Sequence, residues 1–347
     1  MATAERTPQG TSRVHGAVPP GEPLLRVQDL RTYFATAAGV VRAVDGVSFD
    51  LYPGETFGIV GESGSGKSVT CRSVIGLLPS PPAYTTGTVL YQGRNLVGLS
   101  TQQMQAVRGA HIAMIFQDPM TSLNPVMRVG DQIAEALEAH TNLGRAARRK
   151  AALDLMRRVG IPLAERRMND YPHQFSGGMR QRVLIAIALA CTPRILLADE
   201  PTTALDVTIQ DQILSLLLQL QRDVGMTVVL VSHDLGVIAQ TCTRVAVMYA
   251  GQIVELADTQ TLLTRPRHPY TVGLLRSLPG RDTASRYLTP IPGAPPGLID
   301  PPPGCRFYER CALRTDECRS WSTELLPIGP GQTARCRRHD HVEDLYE

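Results

Sequence analysis

"ETFGIVGESGSGKSVTCRSVIGLL", residues 55–78, decides the fold. It opens as an apolar strand over residues 55–60. It then turns through Gly61-Glu62-Ser63-Gly64-Ser65-Gly66-Lys67-Ser68 and continues as a helix. That is G-x-x-x-x-G-K-S in a strand–loop–helix setting. Glycines let the backbone wind tightly enough to aim successive N–H groups at phosphate oxygens. The helix N-terminus adds its partial positive charge. Gly61, Ser63, Gly64, Ser65 and Gly66 are therefore the expected cradle. Lys67 is expected to reach the β- and γ-phosphates, and the Ser68 hydroxyl to ligate Mg²⁺. The fold class is α/β.

Such a loop needs carboxylates from a second segment. "PRILLADEPTTALD", residues 193–206, carries a buried parallel-strand pattern over residues 195–198 and ends in Asp199-Glu200. Ligands in these folds gather at the carboxyl ends of strands. Asp199 is placed to hold Mg²⁺ or its water shell. Glu200, one residue on, is the candidate general base.

"HQFSGGMRQRVLIAIALA", residues 173–190, narrows the choice. Ser176 caps a strongly apolar helix, and Gly177 and Gly178 expose N–H groups to an anion. This segment resembles the signature of ATP-binding-cassette proteins. The rest of that family's set comes in order: Gln117 in "MIFQDP", Asp199-Glu200, "ALD" at 204–206, and His233 in "LVSHDL". The resemblance covers about residues 24–257. Met179 departs from the commoner glutamine and Phe175 from leucine; neither change removes a phosphate-binding N–H. The resemblance implies two cassettes packed head to tail, so that Ser176, Gly177 and Gly178 serve the partner's ATP. It implies that His233 contacts the γ-phosphate and holds Glu200 and the water in place. Gln117 would sense Mg²⁺ and γ-phosphate, and Asp206 would lie at the dimer seam. Phe34 in "RTYF" aligns with the family's adenine-stacking aromatic, with Tyr33 as its competitor.

Cassettes that serve translation or DNA repair usually come in pairs or carry long coiled coils. This chain has one phosphate loop and no heptad run. "FQDPMTSLNPVMRVGDQI" (116–133) and "RPRHPYTVGLLRSLP" (265–279) resemble the peptide/nickel class of bacterial importers, and "SGGMRQR" resembles the dipeptide/oligopeptide D-type subunit. The resemblance implies an ATPase for di- or oligopeptide import, with nickel, oligosaccharide or a non-transport regulatory role as alternatives. The implied partners are an F-type ATPase subunit, two transmembrane permease subunits and, through them, an extracytoplasmic substrate-binding protein. The implied location is the cytoplasmic face of a bacterial cell membrane, peripherally attached.

Composition sets the remaining bounds. With 35 basic and 32 acidic residues the net charge is +3, which argues against a general nucleic-acid binder. The longest apolar run, "VLIAIALAC" (183–191), is about half of what spans a bilayer. Residues 1–22 are polar, rich in Pro, Gly and Thr, and are expected to be a disordered leader. Residues 23–257 are expected to form the cassette, a parallel core sheet flanked by an antiparallel layer, with a helical subdomain at about 127–189. In that subdomain, "RAARRKAALDLMRRVG" (145–160) is a basic helix that faces either solvent or lipid headgroups. Residues 258–347 are expected to be an extension, with "PIPGAPPGLIDPPPG" (290–304) as a stiff linker.

Four of the seven cysteines lie in that extension: Cys305, Cys311, Cys318 and Cys336. In a reducing compartment such a cluster favours metal over disulfide. The spacing C-x5-C-x6-C-x17-C has no tight zinc knuckle and matches neither common ferredoxin pattern. Four thiolates satisfy the ligand count of a [4Fe–4S] cluster, and D-type peptide-importer ATPases resemble this tail and carry one. Zinc, free thiols and disulfides stay open as alternatives. With little apolar sequence for a core of its own, the extension would use the metal as a structural staple.

Overall fold

The computed structural model describes residues 21–203, 205–277, 290–321 and 324–345. The leader expected over residues 1–22 lies outside them except for its last two positions.

The chain opens with two long antiparallel strands, β1 (Leu25–Thr36) and β2 (Gly39–Leu51). It enters the core as β3 (Thr56–Val60), buried at every position, and turns through the glycine loop into α1 (Lys67–Val74). The sequence places Glu55 at the start of that strand. Instead its carboxylate accepts from the Tyr52 N–H at 2.6 Å and pairs with the buried Arg244, which closes the turn before β3. β4 (Ala83–Tyr91) and β5 (Arg94–Asn95) complete a four-stranded antiparallel layer in the order β2–β1–β4–β5.

A short helix, α2 (Thr101–Gln105), leads to β6 (Ile112–Ile115). Five helices come next: α3 (Pro119–Ser122), α4 (Val129–His140), α5 (Arg145–Arg158), α6 (Ala164–Arg167) and α7 (Gly177–Ala188). The chain then returns as β7 (Ile195–Asp199), α8 (Val207–Val224), β8 (Thr227–Ser232), α9 (Leu235–Thr241), β9 (Arg244–Tyr249) and β10 (Gln252–Asp258). β9, β3, β8, β7 and β6 are mutually parallel, and β3 sits between β8 and β9. Both faces of these strands are covered, which is why "ILLAD", "TVVLVS" and "RVAVMY" are buried throughout.

The helical segment has a core of its own around Ile133, Met156, Val159 and Ile185, continuous with Ile115 and Leu196 of the sheet. The basic helix α5 buries only Ala152 and Met156. Its arginines meet acids nearby: Arg148 pairs with Glu138 at 2.9 Å, and Arg157 with Glu165. Among the described residues no helix is long and apolar enough to cross a membrane.

The extension departs most from expectation. It comprises α10 (Thr259–Thr264), α11 (Pro269–Arg276) and two short strands, β11 (Leu326–Gly329) and β12 (Gln332–Ala334). β12 pairs antiparallel with β10, so the large sheet continues into the tail. The proline-rich stretch is not a free spacer: Arg42 N–H donates to the Leu298 carbonyl at 2.9 Å, and Ile299 bridges to Val41 of β2. Nor does the extension lack apolar support. Tyr270, Leu275 and Phe307 share one core with Val60, Leu230 and Tyr249 of the cassette. The rings of Tyr249, Tyr270 and Phe307 stand 4.6–5.5 Å apart by centroid. Burying each such ring is worth on the order of 2 kcal/mol.

Glu255 of β10 ties the pieces together. Fully buried, it accepts from the Arg267 N–H at 2.7 Å, the His268 N–H at 3.0 Å and Gln332 Nε2 at 3.0 Å. Burial pushes its carboxyl up to about 7, although these donors pull it down. A folded-state value raised above the unfolded one means the fold binds the extra proton. Stability from this group is thus fullest below about 4.5 and is lost as pH rises through about 7. Thermal unfolding of Glu255→Gln and the parent from pH 5 to pH 8 should show the parent losing ground steadily to the variant. A gap between the two that does not change with pH would contradict a buried, titrating Glu255.

Candidate nucleotide site

The glycine loop packs against backbone. A β-carbon on Gly61 would stand 2.1 Å from the Met248 carbonyl oxygen, and one on Gly66 2.4 Å from that of Ala43. Gly66 also holds φ at +102°, a left-handed value that side chains resist. Lys67 is buried at the start of α1, and its Nζ donates to the carbonyls of Gly61 at 2.7 Å and Glu62 at 2.9 Å. Burial lowers its pKa, while the charges of Glu200, Asp199 and Glu62 oppose that shift. The ammonium is therefore costly to keep where it is, and a polyanion would stabilise it.

Ser68 Oγ donates to Asp199 Oδ1 at 2.7 Å, joining the loop to the end of β7. Asp199 is fully buried, and burial raises its pKa against the pull of Ser68. Its Oδ2 is buried without a hydrogen-bond partner among the described residues, and Arg72 comes only to 4.0 Å. An anionic oxygen so placed beside a serine hydroxyl suits Mg²⁺ or its water shell.

Glu200 comes next with φ +46°, a strained value for a non-glycine residue. Three groups converge on its Oε2: Gln117 Nε2 at 3.0 Å, Thr203 Oγ1 at 2.8 Å and His233 Nδ1 at 3.3 Å. Gln117 lies just past β6 and His233 just past β8, the strands on either side of β7, so the parallel order of the sheet is what assembles them. Thr203 was not singled out by its sequence, although a hydroxyl three residues past the acid was the available signal.

Ser176 caps α7 by accepting from the Met179 N–H, and with Gly177 it is exposed. Gly178 faces α8 so closely that a β-carbon would stand 2.6 Å from Ile209 Cγ2. Asp206 caps α8, accepting from the Ile209 N–H at 2.9 Å, and is not buried; Val207 beside it is 76% exposed. Of the two aromatic candidates, Tyr33 is already engaged. Its hydroxyl donates to Asp45, its ring meets Tyr84 edge-on at 5.6 Å, and Arg42 lies over it. Phe34 is half-buried and makes no ring contact among the described residues, which leaves its face the freer of the two.

Cys305, Cys311, Cys318 and Cys336 line a single small cavity together with His268 and Phe307. None forms a disulfide. Burial, with a smaller push from the neighbouring cysteines, raises the Cys311 thiol to about 11 and that of Cys336 to about 12. As they stand, no three His, Cys, Asp or Glu side chains among the described residues are arranged around a single metal ion.

Comparison with known proteins agrees with this geometry. Residues 44–203 match the family model described as ABC transporter, and residues 254–318 the one described as oligopeptide/dipeptide transporter, C-terminal region. A dipeptide transport ATP-binding protein of Bacillus subtilis (strain 168) is 53% identical, over 92% of this chain and 93% of its own length. That of Escherichia coli (strain K12) is 46% identical over 90% and 96%. An oligopeptide transport ATP-binding protein of Bacillus subtilis is 54% identical over 83% and 81%. Among solved structures, a dimeric ATP-binding cassette in a post-hydrolysis state with ADP and Pi superposes with a TM-score of 0.61 at 29% identity, covering 68% of this chain and 98% of that one. The loop, the converging carboxylate and these matches together place the chain in the ATP-binding-cassette family, in the branch that carries the oligopeptide/dipeptide-transporter C-terminal region.

Proposed function

We propose that this chain is the ATP-hydrolysing subunit of a peptide importer. It would work as a heterodimer with a second, F-type ATPase beneath two permease subunits fed by an extracytoplasmic binding protein, at the cytoplasmic face of the membrane. The observation that carries this reading is the convergence of Gln117, Thr203 and His233 on Glu200 next to an intact phosphate loop. The names of the relatives, dipeptide and oligopeptide transport ATP-binding proteins, supply the substrate class.

In this reading the N–H groups from Ser63 to Ser68 cradle the phosphates. Lys67 exchanges the carbonyls of Gly61 and Glu62 for phosphate oxygens. Ser68 and Asp199 hold Mg²⁺, with Gln117 beside them; the ion, when bound, neutralises charge that develops on the transferred phosphoryl. Glu200 takes the proton of the attacking water, and His233 and Gln117 hold its carboxylate in line. Phe34 stacks on adenine. Ser176, Gly177 and Gly178 present their N–H groups to the γ-phosphate on the partner cassette, and Asp206 lies at the seam. Ser176 and Gly177 are exposed on the helical segment, open to such a partner.

The four cysteines fit a [4Fe–4S] cluster, with zinc as the alternative. They share one cavity and are free, and burial raises the thiol pKa of Cys305, Cys311 and Cys336, which a bound cation would lower.

In the assembled transporter, Glu200→Gln should bind ATP yet lose hydrolysis by a hundredfold or more, about the contribution of a general base. Parent complexes should hydrolyse ATP faster when peptide-loaded binding protein is added. Near-normal turnover by the variant removes Glu200 from the base role. An isolated monomer as fast as the complex defeats the transporter reading.

Protein purified without oxygen from iron-replete cells should be brown and hold about four irons per chain. Cys311→Ser should bleach it while ATP binding through Lys67 persists. One zinc and no iron would replace the cluster by zinc.

A further inference from the structure

Glu62, the second residue of the phosphate loop, is held by two side chains of the C-terminal extension. Its N–H donates to Tyr270 Oη at 2.9 Å. Its carboxylate receives a two-pronged ion pair from Arg310, Nη1 to Oε2 at 2.8 Å and Nη2 to Oε1 at 3.0 Å. Tyr270 belongs to the His-Pro-Tyr segment, and Arg310 stands immediately before Cys311. Neither has a part in the mechanism above.

We infer that Tyr270 and Arg310 are positioning residues for the nucleotide site: they orient Glu62 and neutralise its charge so that the loop can accept a polyphosphate. The inference rests on the proposed ATP site. Glu62 is the corner of the loop, for its carbonyl accepts both the Ser65 N–H at 3.2 Å and Lys67 Nζ at 2.9 Å. A shift of this one peptide therefore moves a cradle N–H and the lysine together. The Glu62 carboxylate also acts on Lys67 directly, favouring the charged ammonium. Left unpaired, the same carboxylate would repel phosphates arriving at that ammonium.

Arg310 is held in place on every side. Its side chain is 4% exposed, and all five of its N–H donors are used: two on Glu62, one on Tyr249 Oη at 3.3 Å, and two on the carbonyls of Pro292 and Ile291. The rings of Tyr249 and Phe307 flank its guanidinium. Tyr270 is fully buried, and its ring is fixed by the aromatic cluster. The far side of the loop is held by the same segment. Arg306 donates to the Ala250 carbonyl and pairs with Asp45, while the neighbouring Gly251 N–H donates to the Ser65 carbonyl at 2.9 Å.

The test is equilibrium binding of Mg-ATP and Mg-ADP to the purified full-length chain. Arg310→Gln should weaken ATP binding on the order of tenfold, the effect of one uncompensated charge near the phosphates, and ADP binding less. Glu62→Gln alone should bind ATP at least as tightly as the parent. Combining Glu62→Gln with Arg310→Gln should restore affinity to within about threefold of the parent, because the offending charge is gone. Tyr270→Phe should weaken ATP and ADP binding alike, since it loosens the loop without changing charge. If the double variant binds as weakly as Arg310→Gln, Arg310 merely packs the tail and the inference is overturned. A tenfold loss in Glu62→Gln, whose change lies outside the tail, overturns it equally. Lys67→Ala with unaltered ATP affinity refutes the nucleotide site itself, a distinct result.

Discussion

The loop between β3 and α1 has no room for a β-carbon at either end, and the other features of the site depend on that contact. Gly61 lies against the Met248 carbonyl of β9, and Gly66 against the Ala43 carbonyl of β2. The loop is thus wedged between β9 of the core sheet and β2 of the antiparallel layer. With its ends fixed, Lys67 must point back over the loop and Ser68 toward β7. Asp199 then needs to be in its place to within a few tenths of an ångström. Five parallel strands, buried on both faces, supply that rigidity better than a loop would.

The same sheet explains why Glu200 is strained. β7 ends on Asp199, and the chain must turn immediately to put the next carboxylate beside Gln117 and His233. A left-handed φ at a non-glycine residue costs about 1–3 kcal/mol. Two hydrogen bonds to one oxygen, from Gln117 and Thr203, with His233 at 3.3 Å from the same oxygen, offset that cost. Such a carboxylate is oriented before any substrate arrives, which is how an active site avoids reorganising at the moment of reaction.

How legible each feature is in the sequence depends on how local it is. The phosphate loop, the Ser176 cap and the Asp199-Glu200 pair declare themselves because their chemistry sits within a few consecutive residues. The parallel strands declare themselves by unbroken apolar runs. The convergence on Glu200 comes only from family resemblance, since nothing in spacing alone brings residues 117, 200 and 233 together; strand order does that. The extension is misjudged for the same reason. Counted alone it has few apolar residues, but Tyr270 and Phe307 complete a core begun by Val60 and Tyr249, and β12 finds its partner in β10. The Glu62–Arg310 pair joins positions 248 residues apart and leaves no trace in either segment.

This borrowed core also bears on the four cysteines of the tail. If the extension had no other support, a metal would simply hold it folded. Here the aromatic cluster, the Glu255 donors and the strand pairing already anchor it. The segment between Cys305 and Cys311 carries Arg306 and Arg310, whose guanidinium groups pair with Asp45 and Glu62. Arg310 closes the short 3₁₀ turn Tyr308–Arg310 and Cys311 follows it, while Arg306 precedes the turn, next to Cys305. Cys305 and Cys311 therefore lie on the same short segment of the tail as the arginines that reach Asp45 and Glu62.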